Sequence, residues 1–220
     1  MKNTGIVFES EMSMDVEPSA DTLYDKSRFE SNGVITTATW VRSPSGLWVL
    51  DFNSATPDYV TIPAAANQLN FTTQDFSIVM MLFTNSLVGG KLPFARGWLS
   101  IDGYYIYIHD NGAVYFYTSQ AAAYQESFTA PGAVVISTWY TLGISRIGTS
   151  VRIYVDGTDA TSVIGTHTDP LTSARNAMIG IHNNLTSNPF DGKIGFCRIY
   201  NYALSAGKHL NMHNMLEQWV

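Results

Sequence analysis

Apolar residues recur along this chain in short runs broken by Gly, Asn, Asp and Pro, a spacing that predicts many β-strands joined by tight turns and few helices. The run Phe76-Ser77-Ile78-Val79-Met80-Met81-Leu82-Phe83 is apolar on both parities, as a strand covered on both faces would be, so it is expected in the middle of a sheet. Tyr140 to Ile144 and Val151 to Val155 alternate instead, and they pair as a hairpin around the turn chemistry of Arg146 to Ser150, with Asp156-Gly157 opening the next turn. Only the C-terminus reads as helix. Ser205 is placed as N-cap, and Met212, Met215, Leu216 and Trp219 form an apolar stripe that closes on its own sandwich or docks a neighbouring subunit. The predicted fold class is all-β: a two-sheet antiparallel β-sandwich with a short C-terminal helix, in one domain over 1–220 with the helix and tail at 206–220.

Residues 99–120 admit a register calculation. A three-residue loop, Asp110-Asn111-Gly112, with Gly112 in the left-handed region, sets His109 opposite Ala113, Ile108 opposite Val114, Tyr107 opposite Tyr115, Ile106 opposite Phe116 and Tyr105 opposite Tyr117. Ile106, Ile108, Val114 and Phe116 then share one face, and Tyr105, Tyr107, Tyr115 and Tyr117 the other, with His109 at the loop end. A two-residue Asn111-Gly112 turn would mix the sets, so the clean sorting selects the longer loop. Four phenols on one face offer apolar rings and hydroxyl rims, which suit a sugar or another protein's surface, unless other parts of the chain cover them.

Lys and Arg total 12 against 18 Asp and Glu, a formal charge of -6, which argues against nucleic acid as partner. Charged residues make up only 14% where about 25% is usual, and aromatic residues 13%, a balance suited to a β-rich binding protein rather than a disordered chain. No apolar run is long enough to span a membrane. The lone Cys197 has no disulfide partner and no zinc-ligand spacing, so it is expected as a buried small hydrophobe. Glu9 and Glu11 interrupt the N-terminus before a secretory apolar region forms, leaving a virion or an extracellular surface reached by another route as the expected place of work.

Catalytic patterns are not found. Glu9 and Glu11 have the spacing of paired carboxylates on one strand face, yet no aromatic subsite follows them, so surface or ion-binding acids are expected. No nucleophile elbow, zinc-protease helix or phosphate-binding glycine loop occurs. Among His167, His182, His209 and His213 only the last two have metal spacing, and these are assigned to a solvent-facing helix edge.

Several segments, in order, resemble the laminin G-like, concanavalin A-like jelly rolls. They are Gly46 to Phe52 followed by Asp58-Tyr59-Val60-Thr61-Ile62-Pro63, then Trp139-Tyr140 with Val151 to Gly157, and Phe190 to Ser205. Tyr24-Asp25-Lys26-Ser27 and Asn32-Gly33 match the loop after the first strand. Trp139 is expected to fill the gap between the sheets. The resemblance implies a binding, adhesion or particle domain; the glutamate-rich catalytic strand of its glucanase members is missing here. It also implies a structural calcium, for which Glu9, Asp25 and Asp191 are the candidate ligands, although Gly195-Phe196 stands where an acidic pair is usual. Beyond that calcium no cofactor is expected.

Together these readings predict a non-catalytic module displayed on an assembled particle such as a phage virion, contacting glycans or coat subunits, with self-association as one way to assemble. A soluble lectin using Tyr105, Tyr107, Tyr115, Tyr117 and His109 is the alternative, and a divergent glycoside hydrolase or lyase the last choice.

Overall fold

The computed structural model describes residues 5–10 and 13–219. Two antiparallel sheets face each other. From edge to edge the first runs Thr158–Asp159, Ser150–Val155, Trp139–Ile147, Phe76–Thr84, Gly192–Tyr200, Trp48–Phe52 and Thr39–Arg42, with Ile6–Glu9 pairing along the far half of Gly192–Tyr200. The second runs Thr161–Val163, Ala123–Thr129, Val114–Gln120, Asp102–Ile108, Lys91–Trp98, Ala177–Ile179, Tyr59–Ile62, Gly33–Thr36 and Thr22–Leu23. The jelly-roll sandwich expected from the sequence is thus present, and Phe76–Thr84 lies mid-sheet as its double-sided apolar pattern requires.

The core between the sheets takes Phe76, Ile78, Met80 and Leu82 from that strand, Ile106, Ile108, Val114 and Phe116 from the tyrosine hairpin, and Val151 and Ile153 from the other hairpin. The opposite parity, Val79 and Met81, lies on the outer side of the first sheet with Val49, Phe196 and Leu216. The helix Ala206–Leu216 covers that outer side, and a 3-10 turn, Glu217–Trp219, ends it. Burying apolar surface on both faces of one strand gains about 25 cal/mol per Å² on each, so the helix stabilises a face that would otherwise meet water. Among the described residues no helix is long and apolar enough to cross a membrane.

Four details depart from expectation. Met215 is exposed and His209 is buried, because the helix turns His209, Met212, Leu216 and Trp219 toward the sheet. Ser205 holds the N-cap position in an extended conformation, but its hydroxyl makes no capping bond; its carbonyl accepts the N–H groups of Lys208 and His209. Trp139 does not fill the gap between the sheets. Tyr140 and Leu142 take the inward parity, so Trp139 points outward and packs on Phe83, with ring centroids 5.5 Å apart. The hairpin turn shortens to Gly148-Thr149, since Ile147 still pairs with Ser150. Cys197 is buried as expected, and desolvation pushes its thiol well above the usual range.

Candidate functional site

Strands Asp102–Ile108 and Val114–Gln120 pair Val114 with Ile108, Tyr115 with Tyr107, Phe116 with Ile106 and Tyr117 with Tyr105, the register derived from the three-residue loop. The loop closes with the Gly112 N–H donating to the His109 carbonyl at 2.9 Å, and Gly112 stands at φ +79°. All four tyrosines therefore share the outer face of the second sheet. They do not lie flat on it as a platform. Tyr105 stacks on Tyr117 with centroids 4.8 Å apart, Tyr117 on Tyr115 at 5.8 Å, and Tyr115 on Phe128 at 4.7 Å, with interplanar angles of 21°, 12° and 21°. The rings turn toward one another at small interplanar angles, and aromatic pairs prefer an offset stack to a direct face-to-face sandwich.

Tyr105, Tyr107 and Tyr117 line a cleft of about 370 Å³ with Leu92, Trp98, Leu99, His182 and the loop residues Asn184, Ser187 and Asn188. Tyr115 lies outside it. His109 lies outside too, half-exposed and paired with Asp110.

One wall is the strand end at Trp98, whose N–H donates to Asp102 Oδ1 at 3.1 Å and whose ring carries the Arg175 guanidinium at 5.0 Å. The other wall is a loop that ties itself down. The Asn184 side-chain oxygen accepts the N–H groups of Thr186 and Ser187 at 3.1 and 2.9 Å, and its amide donates to Ser187 Oγ at 2.7 Å. Asn183 donates to the Gly97 carbonyl at 3.1 Å and Asn188 to that of Gly89 at 2.8 Å, anchoring the loop at both ends. Beyond the loop a Cβ on Gly90 would lie 1.8 Å from the Tyr107 hydroxyl, so this glycine makes room for that phenol.

His182 stands edge-to-face against Trp98 at 4.6 Å and near Tyr105 at 6.4 Å. Its Nδ1 accepts the Asn184 backbone N–H at 3.4 Å, so the neutral ring keeps its proton on Nε2. Burial and then the nearby Arg175 charge lower its pKa, with the Asn184 hydrogen bond acting the other way, and the ring stays neutral near pH 7. Burial raises the Tyr105 phenol, helped by Tyr124 and the Glu126 carboxylate; burial and Asp110 raise Tyr107. These phenols therefore remain protonated donors. Among the described residues no Asp, Glu, Lys or Arg lines the cleft.

The proposed calcium ligands are not brought together. Glu9 pairs with Arg198, and Asp191 accepts the Ser54 hydroxyl at 2.7 Å just before the other end of Gly192–Tyr200. Seven residues of strand separate these sites by roughly 20 Å. Asp25 does lie beside Glu9, but its two oxygens already accept four protein donors: the N–H groups of Glu9, Ser27 and Ser31 and the Ser27 hydroxyl, at 2.9 to 3.0 Å. No group of three or more His, Cys, Asp or Glu able to hold a metal occurs among the described residues, and Glu11 lies outside them. His209 and His213 do not form a ligand pair, since His209 is buried against Tyr154 and His213 faces Asp156 and Glu217.

Sequence reasoning found the tyrosine floor and missed Trp98, Leu99 and the 182–188 wall. The available signal was the cluster His182-Asn183-Asn184 followed by Ser187-Asn188, a loop dense in side chains that bond their own backbone.

The family model of the Concanavalin A-like lectin/glucanases superfamily matches residues 54–208. No curated protein matches the chain by sequence. Among solved structures, the binding domain of Paraclostridial Mosquitocidal Protein 1 aligns with TM-score 0.72 and 15% identity over 96% of this chain and 52% of that one. The Botulinum Neurotoxin serotype G binding domain aligns with TM-score 0.71 and 14% identity over 96% of this chain and 51% of that one. Domain 4 of AbnA, a GH43 extracellular arabinanase from Geobacillus stearothermophilus solved in complex with arabinotriose, gives TM-score 0.69 and 16% identity over 95% of this chain and 98% of that one. The chain thus spans about half the length of the toxin binding domains and nearly all of the arabinanase domain. At these identities the likeness is one of fold.

Proposed function

This chain belongs to the Concanavalin A-like lectin/glucanases superfamily, and from that premise we propose that it is a non-catalytic carbohydrate-binding module whose ligand occupies the cleft between Trp98 and the 182–188 loop. The observation that carries the reading is the cleft itself: a preformed depression of about 370 Å³ whose lining is aromatic, hydroxyl, imidazole and amide. Such a lining matches a ligand with apolar C–H surface and a rim of hydroxyls. The fold neighbour solved with arabinotriose supports the same direction.

Hydrolysis is not part of the reading. Glycosidases need two carboxylates flanking the scissile bond, and among the described residues none lines the cleft. Calorimetric titration with oligosaccharides tests the proposal. Binding that is lost in Trp98→Ala while the thermal transition is kept supports it, and binding unaffected by that change removes the cleft from the function. No reducing sugar is released in either case. Display on an assembled particle is a separate proposal about where the module works, tested by looking for the chain in purified particles.

A further inference from the structure

Two largely buried side chains of the cleft lining each carry a polar atom that makes no protein hydrogen bond and is not sealed from solvent. Tyr105 is 5% exposed and His182 9% exposed. The Tyr105 hydroxyl makes no hydrogen bond within the described residues, while the neighbouring buried Tyr104 donates its own to the Leu69 carbonyl at 2.9 Å. His182 spends Nδ1 on the Asn184 N–H and leaves its Nε2–H unspent. Neither atom is among the sealed, unpartnered polar atoms of the described residues, so both stay open to water in the cleft, and a ligand oxygen can replace that water without breaking a protein hydrogen bond. Two such atoms in one cleft are held ready for a ligand.

The charge around them is as informative. Among the described residues no ionised side chain lines the cleft, so neither an anionic nor a cationic ligand finds a counter-charge in that lining, and desolvating an unpaired charge is costly. Carboxylates stand close behind the phenols, Glu126 acting on Tyr105 and Asp110 on Tyr107. Arg175 lies outside the lining, over the Trp98 ring at 5.0 Å and paired with Asp102 at 3.5 Å.

We propose that the ligand unit held in the cleft is an uncharged sugar, and that Tyr105 Oη and His182 Nε2 are the atoms that select it, each bonding an oxygen of the unit. This rests on the carbohydrate-binding reading above and narrows it. Acidic sugars are refused because no cation among the described residues lines the cleft to meet a desolvated carboxylate. Amino sugars in their protonated form are refused because no carboxylate lines the cleft.

Isothermal titration separates the outcomes. The probes are neutral arabino-, xylo-, cello-, laminari- and manno-oligosaccharides, set beside oligogalacturonate, sialyllactose and chitosan oligomers. The variants are Tyr105→Phe, which keeps the stacked ring and removes one oxygen, and His182→Phe, which keeps a ring against Trp98; near-ultraviolet circular dichroism checks that both retain the native packing. The expected result is binding confined to neutral probes and weakened about tenfold or more in each variant. Charged probes binding as well as neutral ones would overturn the selectivity while leaving carbohydrate binding intact. Neutral probes binding equally to natively packed variants would overturn the assignment to Tyr105 and His182. A complete absence of binding across the panel would overturn the carbohydrate reading itself.

Discussion

The imidazole of His209 lies flat on the phenol ring of Tyr154, with centroids 4.0 Å apart and planes 16° from parallel. Its Nε2 is 2.8 Å from Ser145 Oγ, which in turn lies 2.7 Å from Ser77 Oγ and donates to the Leu204 carbonyl at 3.0 Å. The Leu204 N–H returns to Ser77 Oγ at 2.8 Å, closing the circuit. Helix and sheet are thereby joined by a buried polar chain that fixes how the helix lies on the outer face of the first sheet.

That chain predicts a loss of stability in acid. Burial lowers the pKa of His209 to about 4, and burial followed by the Arg146 charge does the same to His167, which is held between Thr118 Oγ1 at 2.8 Å and Ser127 Oγ at 2.9 Å. A histidine with a depressed folded pKa stays neutral in the fold while the unfolded chain takes up a proton. Its stabilising contribution is therefore whole above pH 6.5 and drains as pH falls from 6.5 toward 4. Each residue accounts for about 3 kcal/mol over that window. Urea unfolding at pH 7.5, 6 and 4.5 measures this, and the pH slope should flatten in His209→Gln and again in the double variant with His167→Gln.

Gly143 lies directly under that imidazole. A Cβ there would sit 2.3 Å from His209 Nδ1, so Gly143→Ala should lift the helix and cost about 1–3 kcal/mol. Thermal denaturation measures the loss. Adding His209→Ala should recover part of it, because the smaller side chain vacates the space; two costs that simply add would show that the contact does not matter.

The hairpin of residues 102–120 was legible because strand parity and one glycine in the loop admit a single clean sorting of Ile106 and Phe116 from Tyr105 and Tyr117. Parity says which face a ring occupies but not how it is turned, so the self-stacking of Tyr105, Tyr117, Tyr115 and Phe128 could not be read. The walls of the cleft were out of reach for another reason. Trp98 and His182 meet because Ala177–Ile179 pairs with Lys91–Trp98, and a pairing between segments so far apart in sequence leaves no local periodicity. Gly143 was visible as a glycine inside a strand, which signals close approach of another group, but nothing local named His209 as that group.

Metal removal should leave stability unchanged. Asp25 is buried, and its oxygens are already filled by four donors, one of them the Glu9 N–H that links this loop to the first strand. The expected result is an identical thermal midpoint in EDTA and in millimolar calcium. Asp25→Asn, by contrast, should destabilise by about 3 kcal/mol, since its NH2 would confront two donors where an oxygen had accepted both. A midpoint that rises with calcium would restore an ion to this loop.

Asn184 holds the wall of the cleft in place through three hydrogen bonds within the loop. Asn184 is exposed, so Asn184→Ala removes no core contact and should shift the thermal midpoint little. It does remove the acceptor for two backbone N–H groups and the donor to Ser187 Oγ, leaving residues 183–188 free to sample other conformations. Ordering such a loop on binding costs about 0.5–1.5 kcal/mol for each immobilised side chain, so sugar affinity should fall roughly tenfold. Asn184→Asp keeps the acceptor for Thr186 and Ser187 and should lose less. Hydrogen exchange over 183–188, read beside the titration, provides the decision: faster exchange with weaker binding makes the loop part of the site, whereas faster exchange with unchanged binding would confine the site to Trp98 and the tyrosine floor.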